Sequence, residues 1–307
     1  MMGKRHFRIL ETVTAPTTRQ ELVDSLEYTP KTITNVLGDL ESIGLITRER
    51  SGTQVTVRPA NGRCVDVFHT LVRTKPHIDF PDLLSESTLI LLYHLTEEPI
   101  LGPTLVDRSR LSKATAYRHL DTLLNRAIVL KDESRYWLAE DFADLHTFAV
   151  ELHHHLHRRQ LEVDDVTGVL IWESHEEFIL HTDEVLDIQD YHRTGLAMFA
   201  EHGLTFFTTS GEFYYYAPRR DSVDAVDLIC HLLLIENDSR HRQYAMLLVA
   251  KEGLDPEELH DRAEYYRLAE TVEPLIEYVQ SNGDTSTPNL PPWEEFRSLA
   301  EDYDIDL

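Results

Sequence analysis

The stretch TPKTITNVLGDLESIGLITRER, residues 29–50, decides how the N-terminal half folds. Thr29 followed by Pro30 opens a helix, because threonine caps free amides and proline suits the first helical position, where its missing N–H costs nothing. Ile33, Val36, Leu37 and Leu40 then recur at i, i+3, i+4 and i+7, which predicts one buried face. Gly44 ends the helix, since glycine enters the left-handed region without a Cβ clash. Leu45–Arg50, a turn at Ser51, Gly52 and Thr53, and Gln54–Arg58 read as strand, turn and strand. Upstream, Phe7, Ile9, Leu10 and Val13 form the apolar stripe of a first helix. Thr18 with Glu21 three residues later reads as a capping box that opens a short second helix through Leu26.

The same plan returns 83 residues later. Thr32 falls on Thr115, Leu37 on Leu120, Leu40 on Leu123, Gly44 on Ala127 and Leu45 on Ile128, while Gly38 and Asp39 have no strict counterparts. The second copy runs from Ser87 to about Leu138: a first helix with Leu89, Leu92, Tyr93 and Leu95, a second from near Pro103, and a third over Lys113–Asn125 capped by Ser112. Its hairpin is shorter, Ala127–Lys131 and Arg135–Leu138 around Asp132, Glu133 and Ser134. Three helices and a hairpin are the winged helix-turn-helix plan. Residues 5–60 and 86–140 resemble the winged-helix regulators of archaea, in the broad group that holds the multiple-antibiotic-resistance-type and arsenic-repressor-type regulators, and DLESIGLITRERSGTQVTVRP is the phrase that carries the likeness.

With its apolar face buried, the third helix presents Lys31, Thr32, Thr34 and Asn35. Such a helix fits the major groove of double-stranded DNA, where asparagine pairs with adenine and threonine meets phosphates or thymine methyls. Arg48, Arg50 and Arg58 are expected on the wing, suited to phosphates or a narrow minor groove. The second copy offers Lys113, Thr115, Tyr117 and Arg118, preceded by Arg108 and Arg110, with no acid between Arg108 and Leu120. Asp132 and Glu133 stand at the tip of its wing, so this copy reads either as a second DNA contact or as a spacer or dimer element.

Charge is divided along the chain. The protein carries 54 acidic and 29 basic residues, a net of −25, and only six of the basic residues are lysine. That composition matches proteins of salt-accumulating archaea. Residues 1–60 have a net of +1, residues 61–161 of −2 and residues 162–307 of −24. Solubility at high salt favours acid everywhere, so contact with a polyanion is the simplest restraint on the first half. No run of apolar residues is long enough to span a bilayer, and MMGKRHFRILETV has no secretory pattern. Cys64 and Cys230 alone make no disulfide framework or zinc site. A cytoplasmic protein is expected, with no membrane partner.

Ala139–Leu161 reads as a connector or dimerisation helix striped by Phe142, Leu145, Ala149, Leu152 and Leu156. Its His153 and His157 stand one turn apart, but with no further ligands or HExxH pattern a solvated helix face is expected and no metal site. Beyond it, Val169–Trp172 with Phe178–His181 reads as a hairpin, Tyr191–His202 as a helix, and Leu204–Thr208 with Phe213–Ala217 as a second hairpin around Ser210 and Gly211. Tyr214, Tyr215 and Tyr216 are candidates for lining a ligand pocket. Helices follow over Val223–Glu236, Arg240–Lys251, Glu257–Tyr266 and Leu268–Ser281, then a linker over Asn282–Pro292 and an acidic tail over Trp293–Leu307, whose Trp293 and Phe296 are candidates for docking. The segment from Ile229 to Val279 is weakly similar to winged-helix antitoxins of nucleotidyltransferase toxins, which implies a protein partner.

The fold class is therefore mainly α with small β, an α+β protein: a winged helix-turn-helix domain at 1–80, a second at 81–140, a connector helix at 141–162, an α+β sensor or partner-binding domain at 163–283 and an acidic tail at 284–307. The expected function is a homodimeric, sequence-specific transcriptional repressor of a halophilic archaeon, with a small-molecule ligand or protein partner at its C-terminal domain. The alternative is an antitoxin-like or adaptor protein working through protein contact. With no nucleophile elbow, phosphate loop or dinucleotide fingerprint, no catalytic residue, metal or cofactor is expected.

Overall fold

A computed structural model describes residues 2–52, 54–207, 211–284 and 290–307. It is mainly helical with small antiparallel sheets, and the chain divides into two units, Met1–Asp164 and Asp165–Leu307. The stretches read as three domains up to residue 162 share the first unit, and the remainder forms the second.

The first unit runs α1 (Lys4–Thr12), β1 (Thr17–Thr18), α2 (Arg19–Leu26), α3 (Pro30–Ser42), β2 (Ile46–Ser51), β3 (Gln54–Pro59) and α4 (Arg63–Thr74). After a short α5 (Phe80–Leu83) come α6 (Glu86–His94), β4 (Ile100–Leu101), α7 (Gly102–Ser109), α8 (Lys113–Leu124), β5 (Val129–Asp132), β6 (Arg135–Leu138) and α9 (Ala143–Val163). Two three-stranded sheets have the same order, β1-β3-β2 and β4-β6-β5. Of the expected turn at Ser51–Thr53, Thr53 lies outside the described residues.

The local chemistry repeats as faithfully as the element order. Thr29 caps α3 by accepting from the Thr32 amide, and Ser112 caps α8 by accepting from Thr115. Glu27 and Arg110, which follow α2 and α7, are both left-handed, with φ of 53° and 52°. Gly44 and Ala127 are left-handed as well, at 74° and 54°. Leu45 N bonds Leu40 O, and Ile128 N bonds Leu123 O. The sequence reading stopped each copy at its hairpin, but a further helix follows each, α4 and α9. His69 of α4 bonds the Leu10 carbonyl near the end of α1 at 2.9 Å, and His146 of α9 bonds Leu92 near the end of α6 at 3.0 Å.

Both copies contribute to one hydrophobic core. Phe7, Phe68 and Phe148 meet with ring centroids 5.7, 6.3 and 5.3 Å apart. Of the stripe read as a connector or dimer seam, Phe142, Leu145, Ala149 and Leu152 are buried within their own chain, and Leu156 packs partly buried against the same core. The solvated face expected for His153 and His157 is corrected. Both rings are buried, and Tyr93 meets His153 edge-on at 5.3 Å.

In the second unit β7 (Val169–Glu173), β8 (Phe178–Thr182), β9 (Tyr191–Thr194) and β10 (Glu212–Tyr216) form an antiparallel sheet of order β7-β8-β10-β9. Then come α10 (Ala225–Ile235), α11 (Ser239–Glu252), α12 (Pro256–Tyr266), α13 (Ala269–Gln280) and α14 (Trp293–Asp302). Two expectations fail here. Tyr191–Thr194 is a strand, because it pairs with β10, and the left-handed Gly195 separates it from a 3-10 helix at Leu196–His202. The second hairpin is absent: β10 pairs with β8 and β9, residues 204–207 form no strand, and Thr208 and Ser210 lie outside the described residues. The acidic tail docks through the residues expected of it: Phe296 is fully buried in this unit's core with Ala300, and Trp293 packs against it. Of the expected linker, residues 285–289 lie outside the described residues. Among the described residues no helix is long and apolar enough to cross a membrane.

Candidate functional site

α3 is amphipathic by its own spacing. Ile33, Val36, Leu37 and Leu40 are buried, and Lys31, Thr34 and Asn35 stand exposed. Thr32 is half-buried, its hydroxyl shared with Thr29 Oγ1 at 2.9 Å. The Thr34 hydroxyl donates to Pro30 O at 2.8 Å, which leaves its oxygen and methyl outward. No carboxylate stands on α3 before Asp39.

In the β2–β3 hairpin two of the three expected arginines are paired with acids. Arg48 is half-buried and bound to Glu41 through Nε at 2.8 Å and through its terminal nitrogen. The Arg48 guanidinium holds the Glu41 carboxyl below its ordinary value. Arg58 pairs with Glu49 at 3.2 Å. These two cations are offset by acids that lie seven and nine residues away in sequence and adjacent in space. Arg50 is exposed and donates through Nε to Gly52 O at 3.1 Å. Of the residues expected to contact DNA in this copy, Lys31, Asn35 and Arg50 are exposed with no acid paired to them among the described residues.

In the second copy Lys113 and Arg118 are exposed on α8, and Thr115 accepts from the Ser112 hydroxyl at 2.9 Å. Tyr117 is half-buried rather than presented: it meets Tyr136 at 6.3 Å and lies over Gly102, where an added Cβ would come within 2.7 Å of its hydroxyl. Arg110 is half-buried at the end of α7. Asp132 and Glu133 are exposed at the hairpin tip.

The far end of α3 is held from a distance. His155 Nε2 bonds the Ile43 carbonyl at 2.7 Å, and Arg159 Nε donates to Ser42 O at 3.0 Å. Two side chains of α9 therefore satisfy carbonyls that the end of a helix leaves unpaired. A Cβ on Gly44 would lie 3.3 Å from His155 Nε2, at a φ of 74°. Gly44→Val should cost about 1–2 kcal/mol of stability. Gly38→Ala, in mid-helix with nothing within 4 Å of the new Cβ, should gain about 0.5–1 kcal/mol. Urea midpoints of the two variants moving the same way would refute this account of the turn.

The second unit contains a buried polar network. Asp227, at 0% exposure in the first turn of α10, pairs with Arg220 and Arg262 and accepts from Tyr266 Oη at 2.9 Å. Glu177 accepts from Tyr215 at 2.5 Å and from Tyr265 at 2.7 Å, with Arg220 Nε at 3.7 Å. His231 lies between Thr194 and Tyr266, 2.8 Å from each. With the Tyr266 proton given to Asp227, Tyr266 receives from His231 Nε2–H, and Nδ1 accepts from Thr194: a neutral imidazole satisfies every partner. Two carboxylates and two guanidiniums balance.

Burial, then the charges of Arg220 and Arg262, pull His231 down to about 3. The sign follows by linkage. As pH falls, the unfolded chain takes up this proton near 6.5 and the native protein does not until about 3. The contribution of His231 to stability is therefore level above neutrality and falls with acidity, at a slope approaching about 1.4 kcal/mol per pH unit below the unfolded value. Urea midpoints of the second unit should fall between pH 6.5 and 5, and His231→Gln should flatten that decline; an equal slope in the variant refutes the assignment.

The three tyrosines read as candidates for lining a ligand pocket are engaged in packing and hydrogen bonds. Tyr214 is buried and accepts from Leu186 N at 3.0 Å, Tyr215 belongs to the network, and Tyr216 stacks on Phe178 at 4.7 Å. A metal-like cluster that the sequence did not suggest joins Glu236, Asp238 and His241. Both His241 nitrogens already face carboxylates, Asp238 at 2.7 Å and Glu236 at 3.3 Å, so it is satisfied as an ion-pair cluster.

A family model described as HVO_2833_C, C-terminal, matches residues 188–305, wholly within the second unit. The matched stretch takes in Tyr215, Arg220, Asp227, His231, Arg262 and Tyr266, and begins after Ser174 and Glu177. No curated protein and no solved structure matches the chain.

Proposed function

We propose that the chain is a cytoplasmic, sequence-specific DNA-binding transcriptional regulator of a salt-adapted cell, with two winged helix-turn-helix modules in its first unit. The observation that carries the reading is the open face of α3. Lys31, Thr34 and Asn35 stand exposed on it, in the one region of a strongly acidic chain whose net charge is +1. A helix of this kind meets base edges through its N-terminal residues. The pairing of Arg48 and Arg58 with acids suits a cell rich in salt, where counterion release contributes little and base contacts must carry affinity. The second unit, with a net of −22 over residues 165–307, repels the same polyanion and is assigned to sensing a ligand or partner.

Fluorescence anisotropy in molar KCl, on duplexes selected from a random pool, tests this. Asn35→Ala should weaken binding about tenfold or more, the value of one good base contact at about 1–3 kcal/mol. Arg50→Ala should weaken all sequences alike and reduce the salt slope by about 1. Unchanged affinity in both variants removes the role given to the first module.

A further inference from the structure

Equivalent helices of the two copies, α4 and α9, pack against one another, and they do so antiparallel. Arg63, at the start of α4, pairs with Glu151 of α9 at 2.7 Å. Phe68 in mid-helix meets Phe148 at 5.3 Å, and Lys75, just past the end of α4, lies over Phe142, just before α9, at 5.0 Å. Numbers rise along one helix as they fall along the other. Aligned on His69 and His146, Phe148 falls on Leu71, so Phe68 faces the counterpart of a residue one turn along its own helix. Copies stacked by translation would bring equivalent helices together in parallel. Antiparallel contact of a patch with its own equivalent is the mark of a two-fold, isologous interface.

We propose that one chain carries its dimer within itself, so that a single molecule reads two successive half-sites of a duplex, one through α3 and one through α8. The inference rests on the DNA-binding reading above and adds its stoichiometry and its operator. Three observations support it. The apolar stripe of α9 that would join a second chain is already buried in its own chain's core, where α9 packs on α4 and α6. The copies are cross-braced, since His155 and Arg159 of the second copy's last helix hold the end of α3 in the first. And α8 keeps Lys113 and Arg118 exposed in a stretch without acids. The two faces differ, Lys31, Thr34 and Asn35 against Lys113, Thr115 and Arg118, so the half-sites differ in sequence and the operator is an imperfect palindrome. Because the modules share a core, the spacing between half-sites is fixed.

The test selects sequences from a random 30-base-pair duplex pool with the full chain in molar KCl, then weighs the complex by sedimentation. Two enriched blocks and one chain per duplex are expected. Asn35→Ala should relax preference in one block and Arg118→Ala in the other, each with about a tenfold loss of affinity. Inserting five base pairs, half a helical turn, between the blocks should cost about tenfold or more, since a rigid pair cannot follow the rotation. Two chains per duplex, a single block untouched by Arg118→Ala, or indifference to the insertion would each overturn the internal dimer while leaving DNA binding in place. A pool with no enriched sequence overturns the DNA-binding reading as well, and is told apart by that.

Discussion

Asp227→Ala is expected to destabilise the second unit by about 3–5 kcal/mol, the usual cost of removing one partner from a buried ion cluster. The carboxylate is at 0% exposure and receives Arg220, Arg262 and Tyr266. Its loss leaves two half-buried guanidiniums facing each other, with Glu177 no nearer than 3.7 Å from Arg220. The Tyr266 hydroxyl loses its acceptor, and with it the arrangement that keeps His231 neutral. Molar salt does not rescue a variant of this kind, because screening acts on exposed charge. Asp224 supplies the control: it also meets Arg262, at 3.2 Å, but its side chain is half exposed, and Asp224→Asn should cost about 1 kcal/mol or less. Thermal unfolding followed through Trp172, whose ring lies 5.1 Å from Tyr266, reports on the site directly. Equal midpoints for Asp227→Ala and the parent protein would mean that the cluster contributes nothing to the fold.

The first unit was more legible in the sequence than the second, for physical reasons. Caps, apolar spacing and left-handed turns are local, so Thr29, Ser112 and Gly44 announce their roles from their neighbours alone. The helix at Arg63–Thr74 was readable too, since Cys64, Val65, Phe68 and Leu71 lie on one face, but the hairpin before it marked an apparent end to the repeat. What could not be read is what forms between elements. Glu41 meets Arg48 only once the turn brings β2 back against α3, and Glu49 meets Arg58 only once the hairpin register is set. His155 reaches a carbonyl 112 residues away. Tyr191–Thr194 is a strand because β10 lies beside it, and four residues with no alternation of their own carry no such signal. The network of the second unit draws on the turn before β8, on β9 and β10, on Arg220 beyond them, and on α10 and α12, and of its members only Tyr215 was singled out in the sequence, as a candidate for lining a pocket.

Phe148→Ala should cost the first unit about 3–5 kcal/mol, as emptying a buried phenylalanine site does where neighbours cannot collapse. The ring is 1% exposed and touches Phe7 at 6.3 Å and Phe68 at 5.3 Å, so a side chain of the second copy fills the core of the first. The cavity therefore lies under α1 and α4 as much as under α9, and the three helices that line it belong to both modules. Loss of this ring should lower the stability of residues 4–59 and 86–138 together, in one cooperative transition, because neither module retains a complete core without the other. Amide hydrogen exchange resolves the point. Protection of α3 and of α8 should fall by the same free energy in the variant. A loss confined to α6, α7 and α8, with α1 and α3 still protected, would mean that the modules fold separately, and the fixed geometry assigned to the pair would have no physical basis.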